Sequence, residues 1–152
     1  MLIRTHLAIT LFAVLALLSG VSHKISFVVV AFIATFIPDI DSPNSKAGNH
    51  LFLRPLQWVA GHRKVFHSFS FLILVTLFLV LFFPIIALGF FLGYGLHLLA
   101  DCFTKEGIMP FYPFKSKSSG MVSTGGVVET GILVFFVLAD LFLLVLKVAH
   151  AF

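Results

Sequence analysis

Tyr94-Gly95-Leu96-His97-Leu98-Leu99-Ala100-Asp101 closes an apolar run that begins at Ile85. Residues four apart share one face of a helix, so His97 and Asp101 stand one turn above the other. A polar group in hydrocarbon costs several kcal/mol unless it is paired, hydrogen-bonded or coordinated to metal. The run therefore predicts a buried helix whose last turns carry two groups in need of partners, and the search for those partners orders the rest of the chain.

The chain has 152 residues, 60% of them hydrophobic and 11% charged, with 20 phenylalanines. Soluble domains are about half apolar and a quarter charged, so this composition predicts a single membrane domain over residues 1–152. Five apolar stretches are visible: Ile3 to Val21, Ile25 to Ile37, Phe66 to Phe83, Ile85 to Phe103 and Val127 to Ala149. The expected architecture is an all-α polytopic bundle of about five transmembrane spans, the second of them short for a bilayer that needs about 20 residues. Arg4 before an apolar run resembles a signal peptide, but Ala-x-Ala cleavage chemistry is missing and His23-Lys24 leads into another apolar run, which predicts a retained span. Phe83-Pro84 separates the third and fourth stretches, since proline disfavours helix both at its own position and before it. A tight helical hairpin is expected there, with one kinked helix as the alternative.

A single cysteine, Cys102, excludes an internal disulfide framework and a cysteine-based zinc cluster. The formal charge of +4 comes without a dense basic run, so no nucleic-acid partner is expected. Sorted onto alternate sides of five spans, Arg4, Lys46, Arg54, Arg63, Lys64, Lys105, Lys115 and Lys117 fall on one side, and Lys24 and Lys147 on the other. The basic side is cytoplasmic by the positive-inside rule, together with the N-terminus.

His6, Asp39, Asp41, His62, His67, His97, Asp101 and Glu129 all fall at that same end. Each has a plain structural explanation when taken alone. His97 and Asp101 match a hydrogen bond that fixes an imidazole tautomer, Pro38-Asp39-Ile40-Asp41-Ser42-Pro43 matches an acidic turn, and Glu129 matches a helix N-terminal acid. His62-Arg63-Lys64 matches a basic cluster at the membrane surface, and His6 an interfacial histidine. Eight such features have no reason to share one end of five spans. Four histidines and four carboxylates suit divalent ions, most simply zinc, with manganese or magnesium as alternatives and two or more ions conceivable. His23 and His150 fall at the opposite end, His50 lies mid-loop, and Asp140 lies about three turns into the last span; these stay outside the expected site.

His6, Pro38-Asp39-Ile40-Asp41, His62-Arg63-x-x-x-His67-Ser68, Gly93-Tyr94-x-x-His97-Leu98-x-x-Asp101-x-x-Thr104-x-x-Gly107 and Thr124-Gly125-Gly126-x-x-Glu129 resemble, in order and over nearly the whole chain, the YdjM-like family. These are bacterial and archaeal inner-membrane proteins described as membrane-bound metal-dependent hydrolases, and their ligand pattern is loosely similar to that of helical zinc phospholipases C. The resemblance implies His6, Asp39, Asp41, His62, His67, His97 and Asp101 as metal-site residues, with Arg63 beside them. The expected function is cleavage of a phosphoester in a lipid or lipid-linked substrate by metal-activated water, with Asp39, Asp41 or Glu129 as general base and Arg63 clamping the phosphate. The rivals are an ion or proton transporter, since relays use the same residue types, and a membrane scaffold with a structural metal. Oligomeric state is not indicated.

Overall fold

The computed structural model describes residues 1–41 and 65–149, with only the backbone of Ile40 and Asp41. Among the described residues there are five α-helices and no named strand. They are α1 (Ile3–Leu17, continued by a 3-10 turn over Leu18–Gly20), α2 (Lys24–Phe36, followed by a 3-10 turn over Pro38–Asp41), α3 (Phe69–Phe82), α4 (Pro84–Cys102) and α5 (Val127–Ala149). Apolar side chains leave these segments nothing to offer water, and a helix satisfies its own backbone, which is why hydrocarbon selects this structure. The expected all-helical membrane bundle is the fold observed.

Among the described residues, three helical segments are long and apolar enough to cross a bilayer: Ile3–Gly20, Pro84–Cys102 and Val127–Ala149. Two are short, α2 with 13 residues and α3 with 14, or about 20 Å each against the roughly 30 Å of a hydrocarbon core. The short second helix was expected; the short third was not. The stretch expected from Phe66 begins as helix only at Phe69, because Ser68 is extended and its Oγ accepts a hydrogen bond from the Phe71 amide at 3.2 Å. Phe66 and His67 are thereby left in a turn at the site end.

At the other end of α3, Phe83 alone links two helices. Its backbone (φ −141°, ψ 57°) leaves the helical region, and Pro84 starts α4, where its missing N–H costs nothing. Leu72 of α3 packs against Tyr94 and Leu98 of α4, so the two run antiparallel and the hairpin, not the kink, is formed.

The closest helix pair is α2 with α4. A Cβ on Gly93 would stand 1.9 Å from the Ala31 carbonyl oxygen, and one on Gly89 2.8 Å from that of Phe27. Small residues replace hydrophobic driving force in lipid by letting backbones approach. Around this contact Ala34, Leu72, Phe90, Tyr94, Leu98 and Ile108 form one core cluster, and Val14, Phe27 and Ala31 a second. Helix α5 packs along α1, where Phe12 meets Phe136 edge-on with ring centroids 5.5 Å apart. Most of its remaining large side chains face outward, as a lipid-facing helix requires.

The segment between α4 and α5 is tied down without regular strands. Bridges join Thr104 to Val122 and Ile108 to Ser118. Gly107 makes the intervening turn at φ +61°, where a Cβ would also meet the Ser118 oxygen at 2.0 Å. The Pro110 carbonyl accepts from the Phe69 amide at 2.7 Å, docking this segment on the start of α3.

Candidate metal centre

Four pieces of chain deliver side chains to one buried point at the end of the bundle. Helix α4 supplies His97 and Asp101, 0% and 3% exposed. The first turns of α1 supply His6, whose ring stacks on His97 with centroids 3.9 Å apart and planes inclined by 6°. The 3-10 turn after α2 supplies Asp39, and the turn before α3 supplies His67. Tyr94, three residues before His97, donates its hydroxyl hydrogen to the Phe66 carbonyl and so fixes the segment that carries His67.

The separations between these groups are informative. His97 Nε2 lies 3.6 Å from Asp101 Oδ2 and 3.8 Å from Asp39 Oδ1. His67 Nε2 lies 3.8 Å from Asp101 Oδ2 and 3.9 Å from Asp39 Oδ1. His6 Nε2 lies 3.3 Å from Asp101 Oδ1, without the alignment of a hydrogen bond. Most of these are too long for hydrogen bonds, which run to about 3.2 Å. Donors bound at about 2.0–2.1 Å around a tetrahedral ion stand about 3.3–3.4 Å apart. The observed spacing is thus that of donors around a gap, not of donors touching one another.

His97 makes the chemistry of that gap specific. Its Nδ1 lies 2.8 Å from the Thr35 backbone carbonyl, which can only accept, so Nδ1 carries the hydrogen. In the neutral ring the lone pair is then on Nε2, which among the described residues has no hydrogen-bond partner and faces two carboxylate oxygens. A lone pair aimed at anionic oxygens across about 3.7 Å leaves a place where a cation could sit between them. Both nitrogens of His6 likewise lack a hydrogen bond among the described residues. The N-terminal ammonium of Met1 already lies on Asp101 Oδ1, a positive charge at the edge of the cluster.

Among the described residues, two donor groups come close enough to share an ion, His6–His97–Asp101 and Asp39–His67–His97. Both draw on the single available lone pair of His97, so through His97 they are alternatives for one ion. The nitrogen and oxygen donor set fits zinc or manganese more naturally than the all-oxygen surroundings preferred by magnesium.

Of the residues expected from sequence, His6, Asp39, His67, His97 and Asp101 are brought together. Asp41 closes the turn after Asp39 and is described by its backbone alone; His62 and Arg63 lie outside the described residues. Glu129 is buried, and its carboxylate accepts from the Leu2 amide (2.6 Å), the Thr5 hydroxyl (2.8 Å) and the Gly125 amide (2.6 Å). It anchors the start of α1 to the start of α5 and belongs to neither donor group. The contributions of the Thr35 carbonyl and the Met1 ammonium were not read from the sequence, because a backbone group leaves no residue-type signal.

The family profile described as YdjM inner membrane protein matches residues 1–151. The chain belongs to the YdjM family. Among curated YdjM proteins, "Inner membrane protein YdjM" of Escherichia coli (strain K12) and its counterpart of the same name in Shigella flexneri are each 37% identical to this chain over 92 residues, 55% of this chain and 47% of the relative. The chain therefore spans about half the length of the curated YdjM relatives it matches. No solved structure matches. Family and apolar helices together locate the chain in the bacterial inner membrane.

Proposed function

We propose that this YdjM-family chain is a metal-dependent hydrolase that cleaves a phosphoester in a lipid or lipid-linked substrate at the membrane boundary. The reading is carried by one observation: His97, tethered through Nδ1, aims the Nε2 lone pair at Asp39 and Asp101 across a gap of metal-ligand dimensions. His6, His97 and Asp101, the donor group whose three members are all buried, would hold the ion, with His67 beside Asp101 and Asp39. A divalent ion held there, most simply zinc, would supply Lewis acidity to a phosphoryl oxygen and lower the pKa of a water towards neutral. Asp39 is the least buried member, with 19% of its side chain exposed against 4% for Asp101. It orients the attacking water and takes its proton as general base. Arg63, by its sequence position beside His62 and ahead of His67, clamps the phosphate. The excess of basic residues on the site side supports a cytoplasmic orientation.

An amphiphile suits a site at this depth better than a soluble ester, since head and tail meet the protein together. An ion-path reading draws on Asp140, buried deep in α5 with Oδ1 lacking a partner among the described residues. The cavity around it is lined by apolar side chains and Arg4 alone, which does not extend the cluster inward.

The test is metal content by mass spectrometry on detergent-purified protein, wild type beside His97→Ala and Asp101→Ala, with membrane insertion verified for each. About one equivalent of zinc or manganese in wild type, lost in both variants, supports the centre and opens a phospholipid hydrolysis screen. Wild type that holds no metal, even when purified without chelator and re-offered zinc and manganese, removes the basis of the reading. Protein that binds metal yet releases no phosphorylated head group from any lipid class removes the hydrolase and leaves a structural metal.

A further inference from the structure

A groove of about 350 Å³ opens sideways between α1, α4 and α5, immediately beside the donor cluster. Met1 lines it, and the ammonium of Met1 bonds Asp101. On α4 the lining residues Leu96, Ala100 and Phe103 are the sequence neighbours of His97, Asp101 and Cys102, at the three- and four-residue spacing of one helical stripe. On α1 the lining residue Ile9 follows His6 by three, so ligand and wall again occupy adjoining strips of one helix. Ile132 and Phe136 of α5 form the far wall. The groove reaches from Phe103, just past the end of α4, to Leu96, about 10 Å along the helix.

We propose that this groove holds the hydrocarbon tail of a membrane lipid whose phosphate head lies at the His–Asp cluster, so that substrate enters laterally from the leaflet on the site side. The head-group chemistry rests on the hydrolase reading above; occupancy of the groove by a phosphate-headed lipid stands apart from turnover. Lining and length select the occupant. Every lining side chain is apolar, and the groove runs about 10 Å along α4, which suits an unbranched hydrocarbon chain. Continuity selects the lipid head, because the wall of the groove and the donors of the cluster are consecutive residues on both α1 and α4. A second groove, about 460 Å³ and lined by Arg4, Phe32 and Asp140, opens between α1, α2 and α5, on other faces of the same helices.

The test uses the full chain in proteoliposomes of phosphatidylethanolamine and phosphatidylglycerol, doped with phosphatidylglycerol that carries a photoactivatable diazirine in its tail, and maps the label by mass spectrometry. Label is expected on Leu96–Phe103 and Ile132–Phe136 several-fold above the lipid-facing controls Leu77 and Phe142, which are 58% and 63% exposed. Leu99→Trp or Ile132→Trp, filling the groove, should abolish that excess while metal content stays at the wild-type level. A diazirine-tailed diacylglycerol, which lacks the phosphate, should label the groove no more than the controls. Equal label on groove and controls, equal label by both probes, or excess label in the second groove each overturns the proposal. If the phosphatidylglycerol excess holds while no lipid phosphoester is cleaved, the hydrolase reading fails and the groove stands.

Discussion

Gly93→Ala tests the link between helix packing and the metal centre. The new Cβ would lie 1.9 Å from the Ala31 carbonyl oxygen, 2.8 Å from its carbonyl carbon and 3.0 Å from its Cα, all backbone of α2. Ordinary contact begins at 3.4 Å, so the helices must part by about 1.5 Å, the difference between 3.4 and 1.9 Å. One turn further along the same pair, Thr35 O holds His97 Nδ1 at 2.8 Å. A rigid separation of that size stretches this bond to about 4.3 Å, beyond any hydrogen bond, and releases the ring from its tautomer and orientation. Overpacking costs about 1–3 kcal/mol of stability, and loss of such an outer hydrogen bond weakens metal binding about 10–100-fold. The assay is zinc titration and thermal unfolding in detergent, with Gly95→Ala as control. Gly95 is on the same helix, but its added Cβ meets only Leu72 Cδ2 at 3.4 Å, and little change is expected. Wild-type zinc affinity in Gly93→Ala, or an equal loss in Gly95→Ala, would refute the proposed transmission from packing to site.

Glu129→Ala should cost about 3 kcal/mol or more, since it orphans the Leu2 and Gly125 amides and the Thr5 hydroxyl around a charged acceptor. Thermal unfolding and metal content should fall together, because Leu2 and Thr5 are the sequence neighbours of Met1 and His6 at the start of α1; a drop in stability with normal metal content would separate the two. Asp140→Leu should raise the thermal midpoint, since it removes a buried carboxylate oxygen that lacks a partner from an apolar cavity, a burden of about 1–3 kcal/mol. A lower midpoint in that variant would mean that Asp140 is satisfied by a bound group.

The sequence carried the bundle and most of the cluster because both depend on residue type at helical spacing. Apolar runs mark helices in lipid whatever their packing, and His97 with Asp101 declares a shared face through its four-residue interval. Asp39 and His67 were legible from the end of the bundle on which they fell and from the short motifs around them, Pro38-Asp39-Ile40-Asp41 and His62-Arg63-x-x-x-His67-Ser68. What stayed hidden depends on backbone. The start of α3 at Phe69 is set by the extended Ser68 cap, so a hydropathy run through Phe66 overstated the helix. The Thr35 carbonyl that orients His97 is chemically the same as every other carbonyl in the chain. Glu129 shows the reverse: an acid on the site side reads as a candidate base or a helix N-terminal acid, and the Gly125 amide four residues before it fits the second reading, whereas no spacing rule links Leu2 and Thr5 to it.

The four pieces of chain that meet at His97 are separated by segments that must each lie on the correct side of the bilayer. Asp39 comes directly after α2 and His67 directly before α3, the two helices shortest for a membrane. If either is threaded wrongly, its donor is stranded beyond reach of Asp101. On the reading proposed above, metal retained per polypeptide in the membrane would then count correctly threaded molecules, a use of the cluster separate from any chemistry.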